Sequence, residues 1–120
     1  MAQLPEDGRP IFVQIAEKIE DDILEGRLME ESQVPSTNQF ASFYRINPAT
    51  AAKGVNQLVD QGILYKKRGI GMFVTEGAQE IVKQKRRELF YEQYVVTMIQ
   101  EAKKLGITIE QLTEMIQERG

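Results

Sequence analysis

Apolar positions recur along the chain in stripes of helical spacing, interrupted once by a short alternating stretch. Phe12, Ile15, Ala16, Ile19 and Ile23 step by three or four residues, which predicts an amphipathic helix from about Pro10 to Glu25, ended by Gly26. Ser36 followed by Gln39 is a capping-box pattern, and it opens a short second helix carrying Phe40, Ala41 and Phe43. Pro48 interrupts that helix by about Tyr44, because the residue before a proline avoids the helical region. Asn47-Pro48 then starts a third helix, with asparagine as N-cap and proline at the first helical position. Its inward stripe is Ala51, Gly54, Val55, Leu58 and Val59, and Gly62 closes it. Ala49, Ala52, Lys53 and Asn56 lie on its opposite face, which is small or polar with one cation. Residues 63–67 and 72–75 read as two short strands around Arg68-Gly69-Ile70-Gly71, a hairpin.

After Thr75 the pattern returns to helix. One long helical stretch runs from about Ala78 to Leu105, Gly106 breaks it, and Thr108 with Gln111 forms another capping box for a last helix to about Glu118. Two helices cannot bury so broad an apolar stripe between themselves. A second protomer is therefore expected to cover Phe90, Tyr91, Tyr94, Val95, Met98, Ile99, Ala102, Leu105, Leu112, Met115 and Ile116 as a dimer interface. The fold class expected is mainly α with a small β-hairpin. Residues 9–76 would form a winged helix-turn-helix domain, and residues 77–120 a two-helix dimerisation region.

Charge sharpens this picture. The net charge is −3 over 120 residues, but it is unevenly spread. Residues 1–31 hold three bases against nine acids, whereas residues 32–75 hold Arg45, Lys53, Lys66, Lys67 and Arg68 against Asp60 alone. A basic middle between acidic flanks is the form a localised polyanion-binding surface takes. The chain has no histidine and no cysteine, which removes the commonest general base, the commonest zinc ligand and every thiolate. The acids Glu17, Glu20, Asp21, Asp22 and Glu25 read as a solvated helix face, so no catalytic, metal or cofactor site is expected. No apolar run is long enough to span a bilayer, and the start of the chain lacks an apolar signal core, so a cytoplasmic location with no membrane partner is expected.

In a winged helix-turn-helix the third helix enters the major groove of double-stranded DNA and the hairpin reaches the neighbouring minor groove or backbone. The cations Lys66, Lys67 and Arg68 would neutralise phosphates there, while Gly69 and Gly71 let the tip approach closely. Gly69-x-Gly71 is not a nucleotide loop, since Val74 stands where a third glycine belongs. Lys83, Lys85, Arg86 and Arg87 read as a solvated helix face. Phe90, Tyr91 and Tyr94 read as core packing, with tyrosine hydroxyls that leave room for a small-molecule effector. The competing class is a winged-helix protein-interaction module that does not bind DNA.

The segments RPIFVQIAEKIEDDILEGRL, VPSTNQFA, INPATAAKGVNQLVDQGIL and YKKRGIGMFV, in this order, resemble the amino-terminal domain of GntR-family transcriptional regulators over roughly residues 9–75. NPATAAKGVNQL is most similar to the YtrA-like subfamily, whose members carry two carboxy-terminal helices in place of a large effector domain. The resemblance implies a homodimeric DNA-binding regulator, usually a repressor, often of operons containing transporter genes. It implies that Ser36, Thr37 and Asn38 meet the DNA backbone and that Asn47, Ala49, Thr50 and Lys53 line the recognition helix. Arg68 and Gly69 would form the wing tip. Together with Arg45, Lys66 and Gly71 these residues make up the expected DNA-binding set. The chain departs from the family at Glu31, usually glycine, at Val34, usually leucine, and at Asn38, commonly arginine. Regulators outside the YtrA-like group place arginine where Pro48 and Ala52 stand, so their base readout does not transfer.

Overall fold

In the computed structural model, which describes residue 4 and residues 7–119, Pro10 stands just outside the first helix, α1, Ile11–Leu24. Residues 1–3, 5 and 6 of the amino-terminal stretch, and Gly120 at the end of the expected dimerisation region, lie outside the described residues. The capping box forms as the sequence predicts. The Ser36 hydroxyl accepts from the Gln39 N–H and the Gln39 side chain accepts from the Ser36 N–H, opening α2, Thr37–Tyr44. Asn47 caps α3, Pro48–Asp60, by accepting from the Ala49 N–H at 2.7 Å. Strands β1, Leu64–Lys67, and β2, Gly71–Val74, pair antiparallel with Leu64 opposite Val74 and Lys67 opposite Gly71.

Two compact units emerge, Met1–Lys83 and Gln84–Gly120. The core of the first joins Ile15, Ile19 and Ile23 of α1 to Ala51, Val55 and Leu58 of α3, with Phe40, Ile63, Leu64 and Val74 around them. Burying each large aliphatic side chain there contributes about 1.5–3 kcal/mol. Ala78 and Val82, from the start of α4, Ala78–Phe90, also belong to this core. The first turn of α4 is tied down from far away in sequence. Glu30 accepts from the Gly77 N–H at 2.9 Å and the Gln79 N–H at 3.4 Å, which satisfies amides that a helix start leaves open.

α1 and α3 come together across a notch at Gly54. A Cβ there would stand 2.6 Å from the Phe12 carbonyl oxygen and 3.1 Å from an Ile15 methyl, so only glycine admits the α1 backbone.

Local sequence did not reveal the segment beside the hairpin. Glu31 donates to Val74 at 2.8 Å, Val34 donates to Met72 at 2.9 Å and Val74 donates back to Ser32 at 2.9 Å, so residues 31–34 flank β2 as a short third strand. Four residues stopped by Pro35 are too few to show an alternating pattern. Glu31 has φ 70°, a left-handed conformation that glycine adopts more cheaply.

The helical run after Thr75 also differs from the uniform helix expected. Between α4 and α5, Thr97–Lys104, residues Tyr91–Val96 form a π-helical turn. Phe90, Tyr94, Met98 and Ala102 step by four residues, as do Tyr91, Val95 and Ile99. Each such step overshoots a 3.6-residue turn by about 40°, and a locally wider turn removes that drift. Gly106 ends α5. The Ile107 N–H bonds back to the Ala102 carbonyl at 2.9 Å, and Thr108 with Gln111 caps α6, Ile109–Arg119.

Candidate nucleic-acid interface

The faces of α3 separate as the stripe requires. Ala51, Gly54, Val55 and Leu58 are buried, whereas Asn47, Ala49, Lys53 and Asn56 are exposed and Thr50 and Ala52 are half-buried. Alanines at 49 and 52 leave the backbone of this face open to close approach. The Lys53 ammonium stands 4.1 Å from the centre of the Phe12 ring of α1, a cation–π contact. Sequence reasoning missed Phe12, which it counted only as a member of the apolar stripe.

The start of α2 presents Ser36 and Asn38 exposed and Thr37 half-buried. The Ser36 oxygen is engaged as a cap acceptor, yet its proton remains available to a phosphate oxygen. Unbonded first-turn amides add a partial positive charge at this end. Arg45 follows α2 in the left-handed conformation, φ 55°, and is exposed.

The hairpin tip closes by an Ile70 N–H to Lys67 carbonyl bond of 2.9 Å. Gly69 is its third residue, with φ 76°, as a turn of that kind demands. Gly71 also has a positive φ, 145°, that side-chain-bearing residues rarely adopt, and a Cβ there would fall 2.6 Å from the amide nitrogen at the end of the Gln33 side chain. Gln33 in turn donates to the Ile70 carbonyl at 3.1 Å, so the third-strand segment braces the tip. Lys66, Arg68, Gly69 and Ile70 are exposed. Lys67 lies 4.4 Å from the Phe73 ring centre, and Phe73 stacks on Tyr65 with centroids 5.8 Å apart. Burial, and then the nearby Glu31 carboxylate, push the Tyr65 hydroxyl above its ordinary pKa.

Ion pairing divides the bases in two. In the acidic segment Arg9 pairs with Asp7 and Glu17, Lys18 with Asp22, and Arg27 with Asp22 and Glu25. The Arg9 guanidinium beside Asp7 holds that carboxyl below its usual range. Among the described residues, Lys53, Lys66, Lys67 and Arg68 make no ion pair, so their charge stays uncompensated. No group of three or more potential metal ligands occurs among the described residues, and no helix there is long and apolar enough to cross a membrane.

The second unit presents its apolar stripe to solvent. Phe90, Tyr91, Met98, Met115 and Ile116 are exposed, Tyr94 at 62 % and Leu105 at 66 %. Val95, Ile99 and Leu112 are half-buried, and Ala102 is buried within the chain itself. The Phe90 and Tyr94 rings lie 5.5 Å apart in a tilted arrangement.

Comparison with known proteins places this geometry. The sequence pattern of the bacterial regulatory proteins of the gntR family matches residues 12–74. Over 114 residues the chain is 28 % identical to the HTH-type transcriptional repressor YtrA of Bacillus subtilis, covering 95 % of this chain and 87 % of that protein. The solved GntR-family protein from Bacteroides thetaiotaomicron superposes with a TM-score of 0.77 at 36 % identity, covering 90 % of this chain and 94 % of that one. AraR(DBD), solved in complex with operator ORX1, superposes with a TM-score of 0.59 at 26 % identity, covering 62 % of this chain and 96 % of that one.

Proposed function

The chain belongs to the gntR family of bacterial regulatory proteins, and from that premise we propose that it is a cytoplasmic transcriptional repressor that binds a near-palindromic operator as a homodimer. The family is one of regulators rather than enzymes. The observation that carries the DNA reading is the uncompensated charge on α3 and the hairpin, in a protein whose bases within residues 1–31 are paired with acids. The exposed face of α3 reads base edges, with Lys53 as its cation, and Arg68 with Lys66 holds phosphates or the narrow groove. Ser36, Thr37 and Asn38 anchor the backbone at the start of α2. That AraR(DBD) was solved on an operator supports the assignment.

Dimerisation is supported by the exposed stripe of the second unit, since soluble chains rarely leave so many large apolar side chains on one segment uncovered. Two-fold symmetry then makes the operator nearly palindromic. The YtrA-like resemblance suggests an operon containing transporter genes as the regulated unit. The test is selection of bound duplexes from a randomised library, together with the solution mass of the protein. Enrichment of two inverted half-sites by a dimer is the expected result. No enrichment, or enrichment of a single half-site by a monomer, would refute the operator or the dimer respectively.

A further inference from the structure

Lysine is a costly residue with which to position a charge. Its four-carbon stem samples many rotamers in the free protein, and a DNA complex must order them. Lys53 is exposed on α3, yet its ammonium is found 4.1 Å from the centre of the Phe12 ring. A ring face attracts a cation through its quadrupole and occupies only one side of the ammonium. The N–H groups on the other side remain free to donate to a phosphate or a base.

Two neighbouring residues make this seat. Gly54, next to Lys53, lacks the Cβ that would collide with the Phe12 carbonyl, so the α1 backbone lies directly against α3 at this level. Phe12 is half-buried, which restrains its ring while leaving a face for the lysine. The wing repeats the arrangement, with Lys67 over Phe73.

We propose that Phe12 is a positioning residue for DNA recognition: its ring holds the Lys53 ammonium in place before and during binding. This rests on the reading of α3 as the DNA-facing helix. The ring does not touch DNA in this proposal; it acts through the lysine. A contact of this strength at an exposed site corresponds to about two- to fivefold in affinity for each protomer engaged.

A double-mutant cycle on a duplex enriched by the wild-type chain from a randomised library tests this. Phe12→Leu keeps apolar bulk, Phe12→Tyr keeps a ring, and Lys53→Met keeps the stem without the charge. Phe12→Leu should weaken binding by that factor and leave the salt slope unchanged, because no cation is lost. Phe12→Tyr should restore affinity. In the Lys53→Met background Phe12→Leu should have no further effect. The Lys53 side-chain methylene protons next to the ammonium should show an upfield ring-current shift in the free protein, lost in Phe12→Leu.

If Lys53→Met binds as tightly as wild type, the reading of the DNA-facing helix fails. If Lys53→Met weakens binding but Phe12→Leu does not, or weakens it equally in both backgrounds, the seat is refuted. Tighter binding by Phe12→Leu would mean that the ring withholds the lysine from DNA, which also overturns the proposal. Should Phe12→Leu fail to fold, the ring-current shift in the unaltered protein decides: its absence refutes the seat.

Discussion

Replacing Gly54 by alanine should destabilise the protein, although helix propensity alone says the opposite. A glycine inside a helix costs about 1 kcal/mol relative to alanine, so Gly54→Ala gains that much. Against it stands the geometry of the notch. The added Cβ would lie 2.6 Å from the Phe12 carbonyl oxygen, where ordinary contact begins at 3.4 Å, so α1 must back away by about 0.8 Å. The obstacle is backbone and cannot rotate aside as a side chain would. Ile15 methyl and Cβ atoms at 3.1 and 3.2 Å block the neighbouring directions. Overpacking of this kind costs about 1–3 kcal/mol, and a backbone clash belongs in the upper part of that range. The net loss expected is about 1–2 kcal/mol, or a fall in Tm of roughly 4–15 °C for a domain of this size. Urea unfolding followed by circular dichroism measures it, with Ala52→Gly, inside α3 on the face away from α1, as a control that should lose about 1 kcal/mol, mostly from propensity. A Gly54→Ala variant more stable than the parent would refute the claim that α1 passes through this notch.

The remaining expectations are smaller in scope. Arg68→Ala should lower affinity for enriched and scrambled duplexes alike and flatten the salt slope by about one unit per protomer, measured by fluorescence anisotropy. Met98→Glu should weaken self-association and DNA binding together, read by analytical ultracentrifugation and the same titration; a variant that stays dimeric and binds normally would remove the stripe from the interface. Glu30→Ala should cost about 1 kcal/mol in urea unfolding by uncapping α4, with no change in the DNA salt slope. Alkaline stability should report Tyr65. Its folded pKa is raised, so its contribution is complete below the unfolded value near 10 and is lost as pH rises through the folded one, and Tyr65→Phe should unfold less steeply with rising pH.

What could be read from the sequence was what neighbouring residues decide. Ser36 with Gln39, Asn47 with Pro48 and Thr108 with Gln111 are capping signals complete within four residues, and all three occur where expected. The exposed face of α3 likewise follows from its own 3.6-residue period. Features that depend on distant partners were invisible. The strand-like segment at 31–34 exists because β2 offers it hydrogen bonds, and Glu30 caps a helix that begins far along the chain. Glu31, where the resemblance implies glycine, takes φ 70°, a left-handed conformation that glycine adopts more cheaply. The π-helical turn did leave a trace, the unbroken run of four-residue steps from Phe90 to Ala102. The contact of Gly71 with Gln33 was likewise invisible, because it comes from a residue far from the hairpin in sequence.

One titration bears on whether this molecule acts through its unpaired cations on DNA. Wild-type protein would be bound to its enriched duplex and to a scrambled duplex of equal length across a series of salt concentrations. Binding to both should weaken steeply as salt rises, with the enriched duplex preferred throughout. Binding that is indifferent to salt, or equal on the two duplexes at every concentration, would contradict a sequence-reading surface built from α3 and the hairpin.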